Sequence, residues 1–274
     1  MAETRYPISR RQVENLKTQF REYVQRYISG HPSWRESVML KDKHSWLVRK
    51  EALYLASELA LDENATLLAE IAGLYHDIGR FEQFARYQTF VDMKSENHAE
   101  LGAEVIREEK FFGDLDSETR EMLIEVIALH NRASLPEELS RAVEFFTRLL
   151  RDADKIDIYR VVTEYYHRED RKRNQVIEYG LPDTPGISDE VYNDLKSGHI
   201  VSIHHLHNLN DFKMLQVGWV YDLNFAPSFR RVLERNYLEK IRKSLPESER
   251  MDEIFSIAFR VMKEKSGTSS IRSE

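Results

Sequence analysis

The chain of 274 residues carries 40 Lys and Arg against 47 Asp and Glu, a net charge of −7 that argues against a nucleic-acid polymer as main partner. A hydrophobic share of 41% beside 32% charged residues fits a globular protein with a heavily charged surface, and the lack of cysteine excludes disulfides, thiolate metal sites and a cysteine nucleophile. The start from Met1 to Pro7 lacks the apolar core of a signal peptide, and no segment is apolar for long enough to span a bilayer, so the expected location is cytoplasmic, with no membrane partner.

Apolar residues recur at helical spacing along nearly the whole chain. Ser9 followed by Gln12 forms a capping-box start, and Gly30 before His31 and Pro32 marks a stop. A second helix is expected from about Asp42 to Leu61, and a third after Asp62 as N-cap, ending near Ile78 and Gly79. Helical turns around Phe81 to Tyr87 lead through a polar loop to a helix from about Ser95 to Phe112. Ser117 opens the next, which reaches His130, and Pro136 at a first-turn position starts a long helix through Asp154 towards Tyr166. Gly180, Pro182, Pro185, Gly186 and Gly198 make residues 180–200 the richest breaker cluster. Helices resume around 208–222, 227–244 and 248–265, before a frayed tail. With no internal repeat, low-complexity tract or domain-separating linker, the fold class read from these patterns is all-α, as one domain over 1–274.

Five helix-sized segments each carry a metal-ligand type: His44, the pair His76-Asp77, His98, His130 and Asp154. His44 continues the stripe Val48, Ala52, Leu55, Leu59, and His76 ends the stripe Ala65, Leu68, Ala72. His98 begins Leu101, Gly102, Val105, where the glycine permits close helix approach. His130 ends Leu123, Val126, Ile127, and Asp154 follows Leu150 and Phe146 by one and two turns. A lone histidine on such a stripe is usually a core side chain bonded to backbone, and an aspartate near a helix end is usually a cap. That explanation weakens when five segments need it at once. Burying several ionisable groups together is costly unless something satisfies them, and a metal ion takes neutral imidazole and ionised carboxylate together.

The pattern resembles the HD-domain superfamily of metal-dependent phosphohydrolases. The resemblance is carried by His44 in the run Lys41 to Trp46, by His76-Asp77-Ile78-Gly79-Arg80, and by Asp154 in the run Arg151 to Asp157. It covers about 40–160 and implies an all-α bundle with metal between helices, leaving about 165–265 as a C-terminal helical extension. His98, after Asn97, and His130, before Asn131, look like the two additional histidines of the dinuclear branches, in which Asp77 would bridge two ions. The four-residue set alone implies one ion, and either extra histidine could instead support a ligand. The implied cofactor is a divalent metal, one or two ions, with Fe, Mn, Zn, Mg and Ni not distinguished. The segment Asn131 to Leu135 replaces the second adjacent His and the Gly-Tyr-Pro segment of cyclic-di-GMP phosphodiesterases, which argues against that activity.

By resemblance the activity is hydrolysis of a phosphomonoester, phosphodiester or nucleotide through metal-activated water, with His44, His76, Asp77, His98, His130 and Asp154 as ligands. Arg80 is placed as a phosphate clamp, with a surface residue after the helix stop as the alternative, and Lys155 reads as a solvated lysine, with a reach to phosphate as the alternative. The implied partner is a small phosphorylated substrate, with nucleotides among the candidates, and a homo-oligomer stays open. Alternatives are a diiron oxygenase of the same fold and a non-catalytic nucleotide-binding module. His199, His204, His205 and His207 read as surface histidines, with a place at a pocket mouth as the alternative. Phe212, Trp219, Tyr221, Phe225 and Phe229 read as core packing, with base stacking by Trp219 or Tyr221 as the alternative.

Overall fold

The capping box at Ser9 forms as expected: Gln12 N donates to Ser9 Oγ at 3.3 Å, and Ser9 N donates to Gln12 Oε1 at 2.9 Å, opening α1 (Arg10–Gly30). The computed structural model describes residues 6–168, 178 and 180–267, and every regular element among them is helical, so the fold is all-α. The chain divides into two compact units, Met1–Asp154 and Lys155–Glu274. Among the described residues no helix is long and apolar enough to cross a membrane.

In the first unit α1 is followed by a 3-10 turn, Pro32–Trp34, and by α2 (Arg35–Glu58). This helix begins before the expected Asp42. Trp34 continues the turn with helical backbone angles and no side-chain cap, while Asp42 accepts from Trp46 Nε1 at 3.0 Å one turn on. Asp62 caps α3 (Glu63–Tyr75) by accepting from Ala65 N at 2.8 Å. The expected turns after Gly79 are a regular helix, α4 (Gly79–Tyr87), closed by Gln88 at φ 53°. Asn97 caps α5 (His98–Glu108), which is shorter than the expected 95–112 because Lys110, at φ 57°, turns the chain away. Asp116 caps α6 (Ser117–Leu129). The long α7 (Arg141–Tyr166) starts later than Pro136: Val143 N donates to Ser140 Oγ at 3.2 Å, so the hydroxyl rather than the proline ring marks the start.

The first unit's core places the central pair. Tyr75, fully buried next to His76, donates its hydroxyl to Leu16 O at 2.8 Å and meets Phe20, Phe111 and Phe112 edge-on at 5.1 to 5.5 Å. The buried carboxylate of Glu70 accepts from Arg49 Nε at 2.7 Å and Lys17 Nζ at 3.3 Å, tying α3 to α2 and α1.

In the second unit the later part of α7 is followed by α8 (Asp189–Lys196), which occupies part of the breaker-rich segment. Then come α9 (Leu209–Gly218), a 3-10 turn at Trp219–Asp222, α10 (Ala226–Glu234), α11 (Tyr237–Lys243) and α12 (Glu249–Lys265). The expected helix 227–244 is thus two helices, broken where Asn236 adopts φ 52°. Buried Asp211 accepts from Ser188 N, Ser188 Oγ and His207 N at 2.6 to 2.9 Å, pinning the chain before α8 to the start of α9. Phe212 and Phe229 are buried, Trp219 packs edge-on against Tyr159 at 5.3 Å, and Tyr159 stacks on Tyr237 at 5.7 Å, as core packing requires. Residues 268–274 of the tail expected to fray lie outside the described residues.

Close approach of α4 and α5 is set by a missing side chain. A Cβ on Gly79 would lie 2.3 Å from His98 O and 2.5 Å from Gly102 N, whereas one on Gly102 would meet nothing nearer than 3.3 Å. Gly79→Ala therefore costs about 3 kcal/mol or more, since backbone must move, and lowers Tm by roughly 6–12 °C. Gly102→Ala costs about 1 kcal/mol or less. Thermal unfolding of the two variants checks this order, and an unchanged Tm for Gly79→Ala contradicts it.

Candidate metal centre

Helix ends supply most of the site. His76 and His130 are the residues that close α3 and α6, and His98 is the first residue of α5, behind its Asn97 cap. His44 lies inside α2 and Asp154 inside α7. At each of the two C-terminal ends the ring bonds a carbonyl three residues back: His76 Nδ1 donates to Gly73 O at 2.9 Å, and His130 Nδ1 to Ile127 O at 2.7 Å. These are carbonyls of a last turn, which otherwise need partners. His98 Nδ1 faces Asp92 Oδ2 at 2.7 Å.

The structure brings all six expected residues together. His76, Asp77, His98, His130 and His44 are buried, and the Asp154 side chain is 19% exposed. Three overlapping groups have donor atoms within 4.8 Å of one another: His44, His76 and Asp77; His76, His130 and Asp154; and Asp77, His98 and His130. On one side His44 Nε2 lies 3.1 Å from Asp154 Oδ1, 3.3 Å from His76 Nε2 and 3.6 Å from Asp77 Oδ2. On the other, Asp77 Oδ1 is 3.3 Å from His98 Nε2, which is 3.2 Å from His130 Nε2. Each oxygen of Asp77 thus faces a different group of imidazoles.

The chemistry of these donors fits a divalent cation. Carbonyl and carboxylate oxygens only accept, so His76, His98 and His130 each carry a proton on Nδ1; in His98 and His130, which burial keeps neutral, Nε2 is then a lone pair facing inward. His98 and His130 therefore aim two lone pairs at each other across 3.2 Å. That is repulsive with nothing between them. Nitrogens sharing one ion at about 2.0–2.1 Å each stand roughly 3 Å apart, so the observed spacing suits a shared ion. Asp154 Oδ1, despite its short distances to two imidazoles, is buried without a hydrogen bond of proper geometry.

Compared with family models, residues 42–159 match the HD domain. No curated protein and no solved structure matches the chain. HD domains form a superfamily of metal-dependent hydrolases, and the matched residues include His and Asp clusters that could hold metal ions.

Sequence reading missed several neighbours of the cluster. Lys41 Nζ lies 2.8 Å from Asp77 Oδ2, and its place one turn before His44 on α2 is the signal that could have found it. Asp92 sits behind His98 and Arg80, with Asn131 Nδ2 3.3 Å from Asp92 Oδ2 and Arg80 Nη1 2.7 Å from Asp92 Oδ1. Arg151 reaches from α7 to donate to His130 O at 3.1 Å. Arg80 is beside the cluster, its Nη1 also given to Gln83 Oε1 and Phe90 O, and its Nε 3.4 Å from Asp77 Oδ1. Lys155, read as solvated, is instead paired with Asp222 at 2.5 Å in the second unit, where its chain position one residue past Asp154 carries it. His199, His204 and His207 are exposed and His205 is paired with Asp194 at 2.6 Å; none belongs to a metal-capable group among the described residues.

Burial would raise the carboxyl of Asp77, but Lys41, His76, Arg80 and His98 hold it well below the usual range. Asp154 is likewise held low against burial by His44 and His76. Burial pushes His130 down to about 3, with His98 and His76 adding to it, and burial with the Arg80 charge lowers His98. At neutral pH the site thus holds neutral imidazoles His98 and His130 beside charged carboxylates, the states a metal requires.

The sign for stability follows. An unfolded histidine titrates near 6.5, so between about pH 6.5 and 3 the unfolded chain binds a proton at His130 that the folded chain does not. Stability then falls on acidification by up to about 1.4 kcal/mol per pH unit for such a group. The two lowered aspartates act in the same direction, their contribution being present above about 3.9 and lost as pH falls through their folded values. The metal-free protein should lose Tm steadily from pH 7 to 4, and His130→Gln should flatten part of that slope. A Tm that stays level over this window contradicts buried neutral imidazoles.

Proposed function

We propose that this HD domain hydrolyses a small phosphorylated substrate, a phosphomonoester, phosphodiester or nucleotide, at a two-ion centre. His44, His76, Asp77 and Asp154 would hold one ion, and Asp77, His98 and His130 the other. The observation that carries the reading is the opposition of the His98 and His130 lone pairs at 3.2 Å, together with Asp77 presenting one oxygen to each group. Bound divalent ions supply Lewis acidity and lower the pKa of a water towards about 7.

The remaining steps fall to side chains of the chain itself. Asp77 spans the two groups and sets their separation. Lys41, whose ammonium stands on Asp77 Oδ2 with its side chain 19% exposed, is a cation at the edge of the cluster that binds a phosphoryl oxygen. Its position over the Phe90 ring, 5.5 Å from the centroid, steadies it there. Arg80 Nη1 is already shared among three acceptors, so its role at the phosphate is carried by the rest of the guanidinium.

The test is metal analysis of freshly purified protein paired with a phosphate-release screen over monoesters, diesters and nucleotides. His76→Ala and Asp77→Ala should each lose bound metal and on the order of 10³-fold in turnover, the kinetic equivalent of several kcal/mol. Lys41→Met should keep the metal and lose about 10- to 100-fold in kcat/KM, as loss of a charged hydrogen bond implies. Full activity in the His76 or Asp77 variants contradicts the reading. Bound iron with O₂ uptake and no phosphate release from any of these substrates supports the oxygenase in its place.

A further inference from the structure

The three inward-facing histidines of known tautomer are not held alike. His76 and His130 are oriented by carbonyls of their own helices, which are fixed once those helices form. His98 is at the start of its helix, where there is no preceding turn to offer a carbonyl, and its Nδ1 is met by the side chain of Asp92. Asp92 lies in a short 3-10 turn, Asp92–Lys94, between α4 and α5.

Its two oxygens are divided between two tasks. Oδ1 accepts from Arg80 Nη1 at 2.7 Å and Gln83 Nε2 at 2.9 Å. Oδ2 accepts from His98 Nδ1 at 2.7 Å and Asn131 Nδ2 at 3.3 Å. Four donors on one carboxylate leave it no capacity to spare and no place for a proton.

We infer that Asp92 is a positioning residue specific to one half of the cluster: it fixes the tautomer and direction of His98 and so governs the ion held by Asp77, His98 and His130, but not the ion held by His44, His76, Asp77 and Asp154. The inference rests on the two-ion reading above. Replacing the carboxylate by an amide, as in Asp92→Asn, shows why the effect is selective. An amide that keeps its oxygen on Arg80 turns its NH₂ towards His98 Nδ1, which drives the imidazole proton to Nε2 and removes the lone pair from the site. In the opposite orientation the amide NH₂ faces the Arg80 guanidinium, donor against donor. Neither orientation reaches His44 or Asp154.

The experiment is titration of metal-stripped protein with Mn²⁺ alone, followed by calorimetry and by ions bound per chain. The wild type should take two ions in two steps. Asp92→Asn should leave the first step within about twofold and weaken the second by about 10- to 100-fold, the usual effect of losing a carboxylate behind a histidine ligand. Asp92→Glu should restore most of the second step. A merely structural role predicts that both steps weaken by the same factor, and this outcome overturns the inference, as does an Asp92→Asn isotherm identical to wild type. A wild type that takes a single ion overturns the two-ion reading itself, and the inference with it. If Asp92→Asn does not fold, the ¹⁵N spectrum of metal-free wild type at pH 8 decides: His98 should carry its proton on Nδ1, and a proton on Nε2 overturns the inference.

Discussion

A hydrogen bond on the far side of three of the four imidazoles is the constraint on which the site depends. His76, His98 and His130 each give Nδ1–H to an acceptor outside the cluster, and this turns three Nε2 atoms into it, those of neutral His98 and His130 as lone pairs. The His98 and His130 lone pairs face each other within a buried space, beside carboxylates held ionised, and no donor among the described residues stands between them. A divalent cation would resolve that opposition, and the energy returned on its binding would offset the cost of gathering these groups in the folded state. Lys41 is a partial answer, since its ammonium stands on Asp77 Oδ2, but one ammonium on one oxygen does nothing for the His98–His130 contact.

The fold of the first unit is arranged to make that gathering unavoidable. Tyr75, locked by Leu16 O and by its ring contacts with Phe20, Phe111 and Phe112, fixes the chain just before His76. Gly79 lets the start of α4 press on the start of α5, so that His98 comes within reach of Asp77 Oδ1. A helix needs a regular interior to bury its apolar stripe, but its ends are free of partners. The site uses those ends: two C-termini orient His76 and His130, and a capped N-terminus delivers His98.

Much of this was legible in the residues alone. Stripes such as Val48, Ala52, Leu55 and Leu68, Ala72 fix which way His44 and His76 point, because side-chain direction on a helix follows from spacing. Gly102, one turn past His98, foretold the close helix approach, although Gly79 turned out to be the position where space is scarcest. Asp92 was not legible. It belongs to a loop with no periodicity, and a carboxylate there reads as a solvated charge until coordinates set it against His98. Lys41 was legible only through its register one turn before His44 on α2, since composition does not separate a lysine at a site from one in solvent. Boundaries failed where local chemistry outweighed the general signal: Ser140 rather than Pro136 starts α7, and Asn236 breaks α10 from α11 without a glycine or proline to announce it.

X-ray absorption at the edge of the bound metal tests the central claim most directly, because it reads the atoms around the ion without reference to substrate or turnover. Loaded with Zn²⁺, the protein should show a nearest shell of nitrogen and oxygen at about 2.0–2.2 Å, with the outer-shell scattering of several imidazole rings. A shell of water oxygens without imidazole scattering, or no retained zinc at all, would contradict the account.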